Sequence, residues 1–544
     1  MSSVADFLIE RLESAGVKDI FGIPGDYVLD FYAQLWDHDK INVINTTDEA
    51  HAGFAADAYA RINGIGAVCV TYNVGALKVA NAVACAYAER SPLIVISGSP
   101  GMEERNENSL LHHMVRSFNC QKEIFEKITC SSVVLDNPVT AGFEIDKALE
   151  ALKHNKQPIY LELPRDVAKK SINYDVYKLG TPIAPQTDPE NLEEALQETI
   201  DWLNTSRNPA ILAGVEISRY NFGKQLLKFA EKYNIPIVTT LLSKSVIDET
   251  HPLYNGIYQG AASPEHTRQV VEDSDCLLMF GAMLTDLSLS FKPAKFKKRK
   301  VVSCNVKGLQ IRSHSYENVQ FVDFCRSLFK QEGLKSHGIM VKFENLEEKQ
   351  IFTAKEKLIS VDRLKEKIQS VINENHAIVA DVGDSLFLAS DIRVHQRNHF
   401  LSPAFYLSMG SAIPGALGVQ VAKPDVRPIV LVGDGAFQMT VSEISTIVQM
   451  GLNPIIVVLN NDGYSTERLL KDGKFNDILR WNYHLCNQLF GGGKGYCVQT
   501  EIELDNAFNE SLSNKEVSII NVMLDRYDNS SGMKRMTSVL ANKV

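Results

Sequence analysis

Short, continuously apolar runs alternate with helix-like segments in the first and last thirds of the chain. In the first third the runs cover residues 19–22, 41–44, 67–71 and 93–96; in the last third they cover 377–380, 429–432, 455–459 and 517–522. Runs without polar alternation are typical of strands buried on both faces, and helices between such strands favour parallel pairing. The two ends of the chain are therefore predicted to be versions of one α/β architecture.

A middle segment carries the same kind of apolar runs, at 210–213, 235–238 and 276–280, between a proline-rich stretch at 182–189 and a charged stretch at 344–357. At 544 residues the chain is too long for a single core. We predict an α/β protein of three domains, each a doubly wound, mostly parallel sheet flanked by helices. The predicted limits are residues 1–182, 190–340 and 358–544.

Composition removes several classes of function. A net charge of −10 provides no extended basic field for nucleic acid, and the 9 cysteines are scattered without a CxxC pair. No apolar stretch is long enough to cross a membrane, and the N-terminal residues show helical amphipathicity instead of a signal sequence. We expect a cytoplasmic protein that acts on a small molecule, with no nucleic-acid or membrane partner.

Two polar turns follow neighbouring apolar strands of the last third. Gly433-Asp434-Gly435 comes directly after the run at 429–432, and Asn461-Asp462-Gly463 after the run at 455–459. The carboxyl ends of parallel strands share one sheet edge, where anionic ligands bind. Carboxylate and amide oxygens at that edge are the ligands that Mg²⁺ prefers, with a diphosphate and water completing the octahedron.

This pair of turns resembles the cofactor signature of thiamine diphosphate enzymes, and the chain as a whole resembles their 2-oxo acid decarboxylase branch, which includes pyruvate, indolepyruvate and branched-chain decarboxylases. The resemblance implies that Asp434, Asn461 and the carbonyl of Gly463 hold Mg²⁺. Gly433 and Gly435 then lie beside the diphosphate, as do Gly383 and Asp384 after the first strand of the C-terminal domain.

Glu49 follows a predicted strand and opens an amphipathic helix within Thr47-Asp48-Glu49-Ala50-His51. From the residues alone, its carboxylate could simply favour the positive end of that helix. By resemblance, Glu49 binds the aminopyrimidine ring and promotes the tautomer that removes the thiazolium C2 proton. The C2 carbanion attacks the oxo acid, and an enamine remains once CO₂ has left.

The paired histidines His112 and His113 are typical of the decarboxylase branch, although adjacent histidines are often incidental. With Asp26 in Phe21-Gly22-Ile23-Pro24-Gly25-Asp26 and with Glu467, they resemble the proton-transfer set that releases the aldehyde. Two carboxylates and two imidazoles can hold different protonation states in one pocket.

Met409 matches the bulky apolar residue that bends the cofactor, with an ordinary core methionine as the alternative. The substrate pocket is predicted to contain Leu386, Phe387, Thr466 and Leu470. Thr466 is smaller than the branched apolar residue usual in the family, which favours branched, aromatic or longer oxo acids.

The resemblance also implies a homodimer or homotetramer with active sites between subunits. The alternative activity is a carboligase or lyase of the acetolactate synthase or benzaldehyde lyase type, favoured slightly by methionine at position 409. The alternative class is a non-catalytic nucleotide-binding or scaffold protein with two Rossmann-like domains, which would not need this combination of residues.

Overall fold

The computed structural model describes residues 2–106, 110–172, 185–291, 295–338 and 351–540. Three sheets follow one another along the chain, each covered by helices, and this confirms the predicted α/β class and its three-part organisation. The predicted domain limits at residues 182 and 340 lie outside the described residues. Within the described ranges, the helices are all too short or too polar to cross a membrane.

The N-terminal sheet is parallel throughout, in the strand order β2-β1-β3-β4-β6-β5. Its strands are β1 (Asp19–Gly22), β2 (Asn42–Asn45), β3 (Gly66–Val70), β4 (Leu93–Ser99), β5 (Ser131–Val134) and β6 (Ile159–Pro164). The surrounding helices are α1 (Val4–Ser14), α2 (Leu29–Trp36), α3 (Glu49–Asn63), α4 (Ala76–Ala88), α5 (Met102–Asn106), α6 (Cys120–Phe125) and α7 (Ala141–Asn155). Every residue of β3, β4 and β6 is buried, as expected for strands with helices on both faces.

The central sheet has the order β13-β12-β11-β10-β7-β8-β9 and is parallel except for the pairs β11–β12 and β12–β13. Its strands are β7 (Pro209–Ala213), β8 (Ile237–Thr239), β9 (Tyr254–Ile257), β10 (Cys276–Phe280), β11 (Val301–Asn305), β12 (Gly308–Ile311) and β13 (His314–Tyr316). The accompanying helices are α8 (Pro189–Thr205), α9 (Val215–Arg219), α10 (Gly223–Tyr233), α11 (Glu265–Glu272) and α12 (Phe321–Leu328).

The C-terminal sheet is again parallel, in the order β15-β14-β16-β17-β19-β18. Its strands are β14 (His376–Ala380), β15 (Phe400–Leu401), β16 (Arg427–Gly433), β17 (Ile455–Asn460), β18 (Lys494–Val498) and β19 (Ser518–Met523). Its helices are α13 (Val361–Val371), α14 (Asp384–Ser390), α15 (Ala412–Ala422), α16 (Asp434–Thr440), α17 (Ile444–Gln449), α18 (Ser465–Leu470), α19 (Cys486–Leu489), α20 (Glu501–Ser513) and α21 (Ser531–Leu540).

The N-terminal and C-terminal domains share one hydrophobic core, because α3 packs directly on α15. Gly418 makes this approach possible: a Cβ at that position would lie only 2.0 Å from the carbonyl oxygen of Ala55. A larger residue at 418 would separate the two helices. The helix that begins at Glu49 is therefore held against the C-terminal domain of its own chain.

Candidate active site

A cavity of about 470 Å³ lies at the carboxyl edge of the C-terminal sheet. It brings together thirteen of the residues singled out in the sequence: Gly383, Asp384, Leu386, Phe387, Met409, Gly433, Asp434, Gly435, Asn461, Gly463, Thr466, Glu467 and Leu470. They come from loops and helix starts after β14, β16 and β17, together with the loop before α15. The predicted convergence at this edge is therefore present in the fold.

Asp434 joins the two polar turns. One carboxylate oxygen accepts the Gly435 N–H at 2.8 Å, and the other accepts the Gly463 N–H at 3.1 Å. The side chain is almost completely buried, and burial raises the pKa of Asp434 to about 6 even though these N–H groups favour the charged form. Among the described residues no cationic side chain is hydrogen-bonded to this buried carboxylate, which suits a site that receives a cation.

The second turn is fixed by glycine and by an arginine. Gly463 has a φ of 134°, and a Cβ there would lie 2.0 Å from the carbonyl oxygen of Asn476. The Arg468 guanidinium donates to the carbonyl oxygen of Asp462 at 2.6 Å. Asn461 is 5% exposed and lines the cavity, so the loop presents oxygen atoms in a rigid arrangement.

Glu49 is the first residue of α3, directly after the N-cap residue Asp48, which accepts the Ala50 N–H at 2.8 Å. The Glu49 side chain is 12% exposed, and its Oε2 lies 2.8 Å from the ammonium of Lys78. Lys78 also pairs with Asp48, and hydrogen bonds to Asp48 and Glu49 raise the pKa of Lys78. The carboxylate is therefore held between a helix start and a half-exposed lysine.

Asp26, His112 and His113 form a second polar cluster in the N-terminal domain. One carboxylate oxygen of Asp26 and one ring nitrogen of each histidine all lie within 4.8 Å of one another. His112 Nε2 lies 2.5 Å from Asp26 Oδ2, and the two side chains are 59% and 46% exposed. Partial burial alone raises the pKa of Asp26. The hydrogen bond from His112 and the charges of His112 and His113 outweigh this effect, so the pKa of Asp26 is lowered overall. The cluster therefore combines an ionised carboxylate with two imidazoles.

This cluster and Glu49 do not line the cavity that holds Asp434. In one chain the described residues thus form two separate groups: the cavity set of the C-terminal domain and the acid–base set of the N-terminal domain. Glu467 belongs to the first group, and Asp26, His112 and His113 belong to the second.

Sequence comparison with known proteins decides the family. Residues 2–122 match the thiamine pyrophosphate enzyme N-terminal TPP binding domain, residues 196–331 the central domain, and residues 381–522 the C-terminal TPP binding domain. The chain belongs to the thiamine pyrophosphate-dependent 2-oxo acid decarboxylase family.

Its relatives in this family match over nearly their full length. An indole-3-pyruvate decarboxylase of Azospirillum brasilense is 30% identical over 541 residues, which are 96% of this chain and 95% of the relative. A probable pyruvate decarboxylase of Schizosaccharomyces pombe is 30% identical over 97% of this chain and 94% of its own. An alpha-keto-acid decarboxylase of Mycobacterium tuberculosis is 30% identical over 97% and 95%.

Several cavity residues of this decarboxylase family member were not found from the sequence. Leu287 and Phe291 reach the cavity from the central domain, and Met533, Met536 and Thr537 reach it from α21. The spacing of Met533, Met536 and Thr537 places them on one helical face, which was the available signal. That signal indicates a buried face and does not identify what the face covers.

Asp381 was also missed as a structural residue of the site. It directly follows β14, is fully buried, and accepts the N–H groups of Gly410 at 3.1 Å and Ala412 at 3.0 Å. These bonds fix the backbone directly after Met409, at the start of α15. Asp384, by contrast, directs its carboxylate to the Ser530 N–H at 3.0 Å, so it ties the cavity wall to the segment before α21.

Proposed function

We propose that this protein removes CO₂ from a 2-oxo acid and releases an aldehyde, with thiamine diphosphate and Mg²⁺ as cofactors. The observation that carries the proposal is the pairing of a cavity that contains buried Asp434 and Asn461 with a separate Asp26–His112–His113 cluster. The first suits a metal-bound diphosphate, and the second supplies groups that exchange protons near neutral pH.

The residues present fit Mg²⁺ bound to a diphosphate. Asp434, Asn461 and the backbone at Gly463 offer hard oxygen atoms, and burial raises the pKa of Asp434 to about 6. Gly433 leaves open space beside it, since a Cβ there would meet no atom within 4 Å. These residues would hold the metal and leave room for phosphate oxygens.

When bound, the thiazolium of thiamine diphosphate accepts the electron pair released as CO₂ departs. Glu49 would share a proton with the aminopyrimidine ring, for which its largely buried carboxylate is suited. Asp26, His112, His113 and Glu467 would deliver a proton to the reacting carbon and remove one from the product hydroxyl. Met409 would support the bent cofactor from the cavity wall.

We further propose that the complete site forms between two chains. The acid–base cluster is exposed in one chain, with Asp26 and His112 about half accessible, and the Asp434 cavity lies apart from it. A twofold dimer in which each N-terminal domain covers the partner's cavity would bury the cluster and close the cavity together, and two dimers would give a tetramer.

We propose substrates larger than pyruvate. Leu386, Phe387 and Leu470 give the cavity apolar walls, and Thr466 leaves more space than a branched apolar residue would. Each additional methylene buried in such a pocket contributes about 0.8 kcal/mol of binding. Branched or aromatic side chains would therefore gain more from this cavity than a methyl group does.

The test is to incubate the purified protein with thiamine diphosphate, Mg²⁺ and a panel of pyruvate, branched, aromatic and longer 2-oxo acids. We expect equal amounts of CO₂ and aldehyde, with the highest kcat/KM for an acid longer than pyruvate. Acyloin as the main product would identify a carboligase instead. Pyruvate preferred over every longer acid would contradict the substrate assignment.

A further inference from the structure

Glu443 lies outside both groups of site residues, yet it contacts the chain on either side of Glu49. It ends the 3₁₀ turn Val441–Glu443, which continues the helix that begins at Asp434. Its carboxylate is 0% exposed. A buried carboxylate is costly unless it is hydrogen-bonded, so its contacts are strongly constrained.

The hydrogen bonds from Thr47 and His51, on either side of Glu49, all go to the same carboxylate oxygen of Glu443. Its Oε2 accepts from the Thr47 N–H at 3.2 Å, from the Thr47 hydroxyl at 2.8 Å, and from His51 Nδ1 at 2.9 Å. Thr47 precedes Glu49 by two positions and His51 follows it by two. The contacts therefore fix both the entry into α3 and its first turn.

We propose that Glu443 is a positioning residue that sets the direction of the Glu49 carboxylate through Thr47 and His51. This inference rests on the proposed role of Glu49 in decarboxylation. Lys78 contacts the Glu49 carboxylate directly, but its side chain is 50% exposed and holds the group only weakly. The buried Glu443 contacts fix the backbone from which Glu49 extends.

The arrangement also connects the two groups of site residues within one chain. Asp434 begins α16, and the 3₁₀ turn that ends at Glu443 follows directly after α16. The proposed metal-binding turn and the residue that contacts the Glu49 segment therefore lie in one short stretch of the chain. A misplacement of about 1 Å in a catalytic group can cost about 10²-fold in rate.

Glu443→Gln is the informative substitution because it keeps the shape and removes the charge. The substitution also replaces one carboxylate oxygen by an amide NH₂ group. Among the described residues, Oε1 of Glu443 is buried and has no hydrogen-bond partner. Ser442→Ala is the matched control: Ser442 Oγ lies 3.1 Å from the Thr47 hydroxyl but carries no charge. Thr47→Val and Thr47→Ser separate loss of the hydroxyl from change of side chain.

The first measurement uses the cofactor-free protein and needs no activity. Amide hydrogen exchange over residues 46–52 should be at least tenfold faster in Glu443→Gln and in Thr47→Val than in the wild type. It should be unchanged in Ser442→Ala and Thr47→Ser. Native protection in Glu443→Gln would overturn the proposal whether or not the protein is a decarboxylase.

The second measurement uses the enzyme saturated with cofactor. At full thiamine diphosphate content, we expect kcat of Glu443→Gln to fall about 10²-fold, and the acid limb of its kcat–pH profile to be displaced. The control variant Ser442→Ala should keep the thermal midpoint of the wild type. Adding Thr47→Val to Glu443→Gln should lower kcat no further. A native kcat, or a loss of kcat explained by lost cofactor, would contradict the proposal. An inactive wild type with the exchange pattern intact would refute the proposed function alone.

Discussion

Glu49→Gln should separate catalysis from stability more sharply than any other single change. The amide keeps the size of the side chain at the first position of α3, where Asp48 still caps the helix. The lost ion pair involves Lys78, which is 50% exposed, so it costs less than about 1 kcal/mol of stability. Loss of an acid–base group lowers turnover about 10²–10⁴-fold, or about 3–5 kcal/mol in the barrier.

Asp48→Ala provides the contrast. It removes the cap on the Ala50 N–H and one partner of Lys78, which costs about 1 kcal/mol and lowers a thermal midpoint by about 2–4 °C. Steady-state kinetics with a 2-oxo acid at saturating cofactor and thermal unfolding of both variants make the comparison. We expect Glu49→Gln to be stable and nearly inactive, and Asp48→Ala to be less stable and more active. A Glu49→Gln enzyme with near-native turnover would show that Glu49 is only a helix-terminal carboxylate.

Two further changes test the cavity. Thr466→Ile should lower kcat/KM for branched and aromatic oxo acids about fourfold per excluded methylene relative to pyruvate; equal effects on all substrates would contradict the pocket assignment. Burial raises the pKa of Asp384 from 3.8 to about 6, so the stability that its bound proton supplies is complete below about pH 4 and lost as the pH rises through 6. Between pH 4 and 6, the free energy of unfolding of the wild type should fall by up to about 3 kcal/mol relative to that of Asp384→Asn. If the difference in unfolding free energy between wild type and variant does not change with pH, this prediction is wrong.

Continuous apolar runs predict the parallel strands well, because strands that are buried on both faces consist almost entirely of apolar residues. The run at 276–280 matches β10, whereas the run at 235–238 begins early: β8 starts at Ile237, after Pro236, which has no N–H for a sheet ladder. The antiparallel pair β12 and β13 was not predicted. Both strands are short and β13 is polar and mostly exposed, so their pairing depends on a tight turn and the neighbouring β11.

Some features of the candidate site could likewise be predicted from local sequence patterns, and others could not. Asp434 and Asn461 could be placed together because each directly follows a strand of one sheet. The contacts of Glu443 with Thr47 and His51 join positions about 400 residues apart, and no local pattern reports them. The same holds for Leu287 and Phe291, which reach the cavity from another domain.

The most direct test of the account mixes two inactive chains, Glu49→Gln and Asp434→Ala, under conditions in which subunits exchange. If each site combines the Glu49 of one chain with the Asp434 of its partner, random mixing of equal amounts restores about a quarter of all sites. Aldehyde formation from a 2-oxo acid should recover to about that fraction of the wild-type rate. Heterodimers demonstrated by mass that show no recovery would place both halves of the site in one chain and contradict the account.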